Sequence, residues 1–190
     1  MEFNIPNTLT LLRIAAIPLF VGVFYLPEGW LSEGQTNLLA TVLFIAAALT
    51  DWLDGYLARS LGQTSAFGAF LDPVADKLMV AAALIVLVQI GRVDAIIAVI
   101  IIGREITISA LREWMARVGQ SASMAVATVG KLKTAAQMIA LIFLLYDGVI
   151  GGFSLRPLGT ALIYVAAALT LWSMIYYLRR ALPLLTSVGR

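Results

Sequence analysis

Asp51, Asp54, Asp72 and Asp76 are four of only eleven acidic residues in the chain, and they fall in one short window with long apolar sequence on both sides. A carboxylate beside hydrocarbon costs about 3 kcal/mol or more unless it is paired, hydrated or bound to a metal, so such residues point to function. If the segment before residue 60 is helical, each residue turns about 100°. Asp51, Asp54, Gly55 and Ala58 then share one stripe, which Arg59 continues. Asp72 and Asp76, at i and i+4, share a stripe on the following helix. Two such stripes face to face would gather four carboxylates in one pocket. Four clustered anions in low dielectric are tolerable only with bound protons or with divalent cations among them. Oxygen-only ligands favour a hard ion, Mg²⁺ or Mn²⁺, over zinc, and the absence of His and Cys from the chain agrees with this.

The residues between the acids suit a substrate. Gly55 and Ala58 remove bulk where the carboxylates point, so a helix or a flat ligand can approach the backbone closely. Arg59 sets a permanent cation one turn beyond the metal stripe, where a phosphate needs a counter-charge. Metal, arginine and open space together imply a phosphorylated ligand.

The pattern D-x2-D-G-x2-A-R-x8-G-x3-D-x3-D, from Asp51 to Asp76, resembles the signature of the CDP-alcohol phosphotransferase family, with every fixed position present. The resemblance implies that family's all-α integral membrane fold and two divalent ions held by Asp51, Asp54, Asp72 and Asp76. It makes Asp76 the base that deprotonates the acceptor hydroxyl. It also implies a cytidine diphosphate site built from Asn7, Thr10, Gly55, Ala58, Arg59, Ser65 and Gly68, and a homodimer.

The elements that must carry these residues are apolar. Apolar residues make up 61% of the chain and charged residues 13%, with a mean hydropathy of +0.95, so several segments cannot be covered by their own polar surface. Without Cys there are no disulfides or thiolate sites, and without His there is no Ser-His-Asp triad. Proton transfer falls to a carboxylate, lysine or tyrosine. The first residues lack the basic region and small-residue cleavage site of a cleavable signal. Phe3 and Ile5 among polar neighbours suggest a short N-terminal interfacial segment, with Asn7 or Thr8 capping the first span. Six transmembrane helices are expected, at about Leu9 to Leu26, Asn37 to Ser60, Phe67 to Ile90, Asp94 to Trp114, Ala122 to Tyr146 and Leu158 to Leu178. Turn residues separate them, including Pro27 to Gly29, Gly62 to Ser65, Gly91, Gly119 to Ser121 and Gly148 to Pro157. Pro73 is expected in an early helical turn, where its missing N–H costs least. One domain covers residues 1–190, and no nucleic-acid partner is expected.

Of thirteen Lys and Arg, only Arg92 and Arg156 fall on the side away from the termini and the acids. The positive-inside bias therefore places both termini and the acidic site at the cytoplasmic face of a bacterial inner membrane. There the pocket meets both a lipid head group and a soluble substrate.

A second group of charges lies further on. Arg104 and Arg112 are two i+4 steps apart, and Lys131 and Lys133 enter from the next helix, with Glu105 able to hold an arginine. Around an anionic substrate this is a phosphate pocket; the alternative is that Arg112, Lys131 and Lys133 snorkel to the interface as anchors. The run from Pro6 to Arg13, the Gly103-Arg104-Glu105 and Leu111-Arg112-Glu113-Trp114 elements, and Gly130-Lys131-Leu132-Lys133-Thr134 narrow the resemblance within the family. They are similar to those of bacterial members that transfer the phosphatidyl group of CDP-diacylglycerol to sn-glycerol 3-phosphate, releasing CMP. The resemblance makes Arg104, Arg112, Lys131 and Lys133 the glycerol-phosphate site. Other readings are a family member using serine, inositol phosphate or phosphatidylglycerol as acceptor, or, from another class, a cation carrier. A carrier leaves Gly55, Ala58 and Arg59 unexplained.

Overall fold

The computed structural model of the protein describes residues 5–60, 66–117 and 128–188. Within them, side chains are described except at 5–6, 52, 54–59, 66–67, 69, 112, 116–117, 128–131, 177 and 180–188. Among the described residues the chain forms six α-helices: α1 (Ile5–Gly22), α2 (Glu33–Ser60), α3 (Ala66–Gln89), α4 (Ala95–Arg117), α5 (Thr128–Tyr146) and α6 (Leu155–Val188). A 3-10 turn, Val23–Tyr25, extends α1. The expectation of an all-α chain needs one small correction. The expected turn between α5 and α6 is a tight antiparallel hairpin, β1 (Val149–Ile150) with β2 (Phe153–Ser154), reversing through Gly151 and Gly152 at positive φ.

The helix ends follow from local chemistry. Ser32 and Gln35 form a reciprocal capping box before α2: the Ser32 N–H donates to the Gln35 side chain (2.9 Å) and the Gln35 N–H to the Ser32 hydroxyl (3.3 Å). The Asp94 carboxylate accepts from the Ile96 N–H at 2.7 Å and caps α4. Between them α3 ends on Gly91, whose φ of +69° places it in the left-handed region. The Arg92 N–H reaches the Leu87 carbonyl (2.8 Å) and the Gly91 N–H that of Val88 (3.1 Å), the paired bonds of a glycine-terminated helix.

One expectation about the helix starts is overturned. Asn7 and Thr8 do not cap a helix starting at Leu9, because α1 already includes Ile5 and Pro6; Asn7 is a buried residue inside it. Phe3 of the expected interfacial segment lies outside the described residues. Pro73 lies in an early turn of α3, as expected, but past the first turn, because α3 begins at Ala66. Its missing N–H falls where the Ala69 carbonyl would have taken a bond, between the two acids of that helix.

The core runs through all six helices: Phe20 of α1, Phe44 of α2, Leu84 and Leu87 of α3, Ile101 of α4, Leu141, Leu144 and Leu145 of α5, and Ile163 of α6. Helix α6 approaches α5 at Gly159, where a Cβ would stand 2.9 Å from the Leu144 side chain, so only glycine fits. On the outside, Leu19, Ile85, Val99, Ile106 and Trp172 are exposed, a surface suited to hydrocarbon. The segments Asn7–Tyr25 and Leu155–Tyr176 are long and apolar enough to cross a membrane. Helix α3 carries three charges, Asp72, Asp76 and Lys77, and α4 five, Arg104, Glu105, Arg112, Glu113 and Arg117.

At the end of the bundle away from the aspartates, Arg92 closes the fold. Its side chain is 5% exposed. It donates to Asn37 Oδ1 (3.0 Å), to the Leu144 and Leu145 carbonyls in the last turn of α5 (3.1 Å each), and to Glu33 (3.2 Å), with Nε 3.1 Å from Asp147. Those carbonyls have no helical partner, and a cation at a helix C-terminus also opposes the helix dipole. Asp147, at φ 44°, holds a strained backbone that this clasp stabilises. Removing a buried, fully bonded charge costs about 3 kcal/mol, whereas an exposed ion pair is worth under about 1 kcal/mol. Arg92→Met should therefore lower the unfolding midpoint of the detergent-solubilised protein strongly, by about 3 kcal/mol. Arg156→Ala, at the half-exposed arginine 3.5 Å from Asp147, should shift it by less than about 1 kcal/mol.

Candidate active site

Three of the four signature acids have described side chains, and α1 meets them with a polar stripe. Asn7, Thr10 and Arg13 recur every third residue along α1, and all three are buried. The Thr10 hydroxyl donates to Asp72 Oδ1 at 2.6 Å, tying α1 to α3. The Arg13 guanidinium pairs with Asp51, tying α1 to α2; the arginine side chain is 1% exposed and the aspartate 42%. Asp51 and Asp76 border the same small cavity with Arg13, over a floor that includes Phe44, Met79 and Met138. Aspartates from α2 and α3 therefore converge, and α1 supplies a third wall. Gly68 is buried at the start of α3.

The side chains of Asp54, Gly55, Ala58, Arg59, Arg112 and Lys131 lie outside the described set, and Ser65 lies outside the described residues altogether. Among the described residues no three acidic side chains stand close enough to enclose an ion. The described donors at the convergence are all carboxylate oxygens, a set that fits Mg²⁺ or Mn²⁺ and not a soft metal.

The second basic cluster is locked around one carboxylate. Lys133, from α5 and 3% exposed, pairs with Glu105 Oε1. Arg104 Nη1 reaches the same oxygen at 3.1 Å, and its Nη2 donates to the Ser173 hydroxyl of α6, also at 3.1 Å. Ser173 donates in turn to the Thr170 carbonyl at 2.9 Å. Both terminal nitrogens of Arg104 are thus held, which fixes the plane of the guanidinium.

An open cleft of about 670 Å³ joins the two groups. Its walls are α3, through Phe70, Pro73, Val74, Asp76 and Lys77, and α4, through Arg104, Glu105, Ile108, Ser109, Ala110 and Glu113. Asp76 is exposed to it. The arrangement places a carboxylate on one wall and a guanidinium on the other.

Sequence reasoning did not assign Arg13 and Ser173 to the site. Arg13 was legible as the third member of the polar period Asn7, Thr10, Arg13 within an apolar run. Ser173 carried no such signal, since a lone serine in a long apolar helix commonly bonds its own preceding turn.

Comparison with known proteins gives a consistent result. A family model described as CDP-alcohol phosphatidyltransferase matches residues 3–172. The chain is 51% identical over 185 residues to a protein of Pectobacterium atrosepticum named CDP-diacylglycerol–glycerol-3-phosphate 3-phosphatidyltransferase, covering 95% of this chain and 96% of that protein. Proteins of the same name from Sodalis glossinidius and Shigella flexneri are each 50% identical, over 185 and 183 residues, with the same coverage.

The shared carboxylate makes a specific demand. Glu105→Gln would leave Lys133 and Arg104 as neighbouring cations without a counter-charge, a loss of about 3 kcal/mol. The unfolding midpoint in detergent should fall accordingly, and Lys133→Met in the same background should recover part of the loss by removing one of the two cations.

Proposed function

The chain belongs to the CDP-alcohol phosphatidyltransferase family, and we propose that it makes phosphatidylglycerophosphate by transferring the phosphatidyl group of CDP-diacylglycerol to sn-glycerol 3-phosphate, with release of CMP. The observation that carries this reading is the single cleft with Asp76 on one wall and the Glu105-held Arg104 on the other, in a chain whose relatives bear that activity in their names.

In this reading Asp76 accepts the proton of the acceptor hydroxyl. That oxygen attacks the phosphorus next to diacylglycerol, the new P–O bond forms, and the bond to CMP breaks. Arg104, Arg112, Lys131 and Lys133 hold the acceptor phosphate as charge-assisted donors. Asn7, Gly55, Ala58, Arg59, Ser65 and Gly68 receive the cytidine diphosphate, and Thr10 acts on that side through Asp72. Asp51, Asp54, Asp72 and Asp76 would hold divalent cations, Mg²⁺ or Mn²⁺. When bound, such ions neutralise charge on the pyrophosphate and the departing CMP. Arg13 keeps Asp51 oriented from α1.

The setting completes the reading. All six helices cross the inner membrane of a bacterial cell as one domain, α3 and α4 carrying their charges inward to the site, with both termini and the cleft at the cytoplasmic face. A homodimer is the proposed assembly. The serine alternative provides less use for a cation cluster beside Asp76, because that acceptor is zwitterionic and carries no phosphate.

Purified protein with CDP-diacylglycerol and Mg²⁺ should release CMP on addition of sn-glycerol 3-phosphate and not of serine or inositol phosphate. The opposite acceptor profile would overturn the assignment. Asp76→Asn should lower turnover by about 10²–10⁴, the range of general-base catalysis, while CMP still binds. Near-normal turnover in that variant would remove Asp76 from the proton transfer.

A further inference from the structure

Lys77 is a cation of the cleft lining that, among the described residues, no carboxylate holds in an ion pair. It follows Asp76 on α3, within a span, and lines the same cleft as Asp76, Arg104 and Glu105. Among the described residues it makes no ion pair: Arg104 and Lys133 share Glu105, Arg13 takes Asp51, and Arg92 and Arg156 meet Glu33 and Asp147 at the far end. Asp76 and Glu105 lie near enough to attract it without closing an ion pair, and a lysine carried inside an apolar helix marks the path or seat of a charged ligand. In the described lining of the cleft the basic residues are Lys77 and Arg104. Asp76, Glu105 and Glu113 are the acids in its described lining, and Glu105 already neutralises much of what Arg104 and Lys133 bring. A doubly charged phosphate carries more charge than that pair offsets with Glu105 between them, so each further cation at the cleft adds to its binding.

We propose that Lys77 binds the phosphate of the acceptor and orients its hydroxyl towards Asp76. This rests on the acceptor being a phosphorylated alcohol, as set out above. Successive residues on a helix point about 100° apart, so Asp76 and Lys77 reach into the cleft on diverging lines. A three-carbon alcohol with a phosphate at one end and a reacting hydroxyl at the other spans that divergence: phosphate between Lys77 and Arg104, hydroxyl at Asp76. An ammonium suits this place better than a guanidinium. It is a compact point charge on a flexible stem and can follow the phosphate as the hydroxyl is consumed, while Arg104 stays fixed between Glu105 and Ser173.

The test compares Lys77→Met and Lys77→Arg with the parent protein in detergent, by equilibrium binding of radiolabelled sn-glycerol 3-phosphate and of CMP, each with Mg²⁺, and by steady-state kinetics. CMP binding serves as the measure of an intact fold. The expected result for Lys77→Met is glycerol-phosphate affinity weakened about 10-fold or more, the size of one lost charge-assisted contact. KM for glycerol phosphate should rise with it, while the affinity for CMP and KM for CDP-diacylglycerol stay within about 2-fold, a difference too small to represent such a contact. Lys77→Arg should recover most of the glycerol-phosphate affinity. Unchanged glycerol-phosphate binding in Lys77→Met overturns the proposal. Equal weakening of both ligands also overturns it, because that is what a packing defect in α3 would do; should Lys77→Met fail to fold, a Lys77→Gln variant that binds CMP normally decides in the same way. Parent protein that binds CMP but not glycerol phosphate would instead overturn the acceptor assignment itself.

Discussion

A buried charge must be met by an opposite charge or by dipoles, and in this protein the partner of nearly every described one comes from another helix. Arg13 of α1 meets Asp51 of α2, Lys133 of α5 meets Glu105 of α4, and Arg104 of α4 reaches Ser173 of α6. The Thr10 hydroxyl of α1 bonds Asp72 of α3. In a lipid environment apolar packing cannot by itself favour one helix arrangement over another, because the tails are as apolar as the leucines they replace. The polar contacts therefore set which helix faces which, and at what register. The same contacts that orient the bundle also build its chemistry.

The two ends of the bundle use similar residues for opposite purposes. At one end Arg92 is enclosed by Asn37, Glu33, Asp147 and two backbone carbonyls, and its donors are spent within the protein. At the other end one carboxylate oxygen serves both Lys133 and Arg104, and Asp76 stands exposed on the cleft. A saturated network gives rigidity.

Where expectation and structure part, the reason is local competition. The helix α1 begins before the residues chosen as its cap, because Asn7 is better satisfied buried among the other helices than at an exposed end. Pro73 lies within α3 because surrounding helices can absorb one missing backbone bond in exchange for placing Asp72 and Asp76 one turn apart. Several of the charges on α3 and α4, namely Asp76, Lys77, Arg104, Glu105 and Glu113, line the cleft between the two helices.

The amino-acid sequence alone determined the helical class, the order and approximate limits of six apolar segments, and the acidic and basic groups. These depend on spacing along the chain: a 3.6-residue period and a fixed signature are properties of neighbours in sequence. Only the tertiary structure decided that α1 forms the third wall of the aspartate site, that Ser173 of α6 fixes Arg104, and that Asp76 and Arg104 open onto one cleft. Those relations join residues far apart in the chain, and helix periodicity tells which face a residue occupies without telling which helix will lie against it.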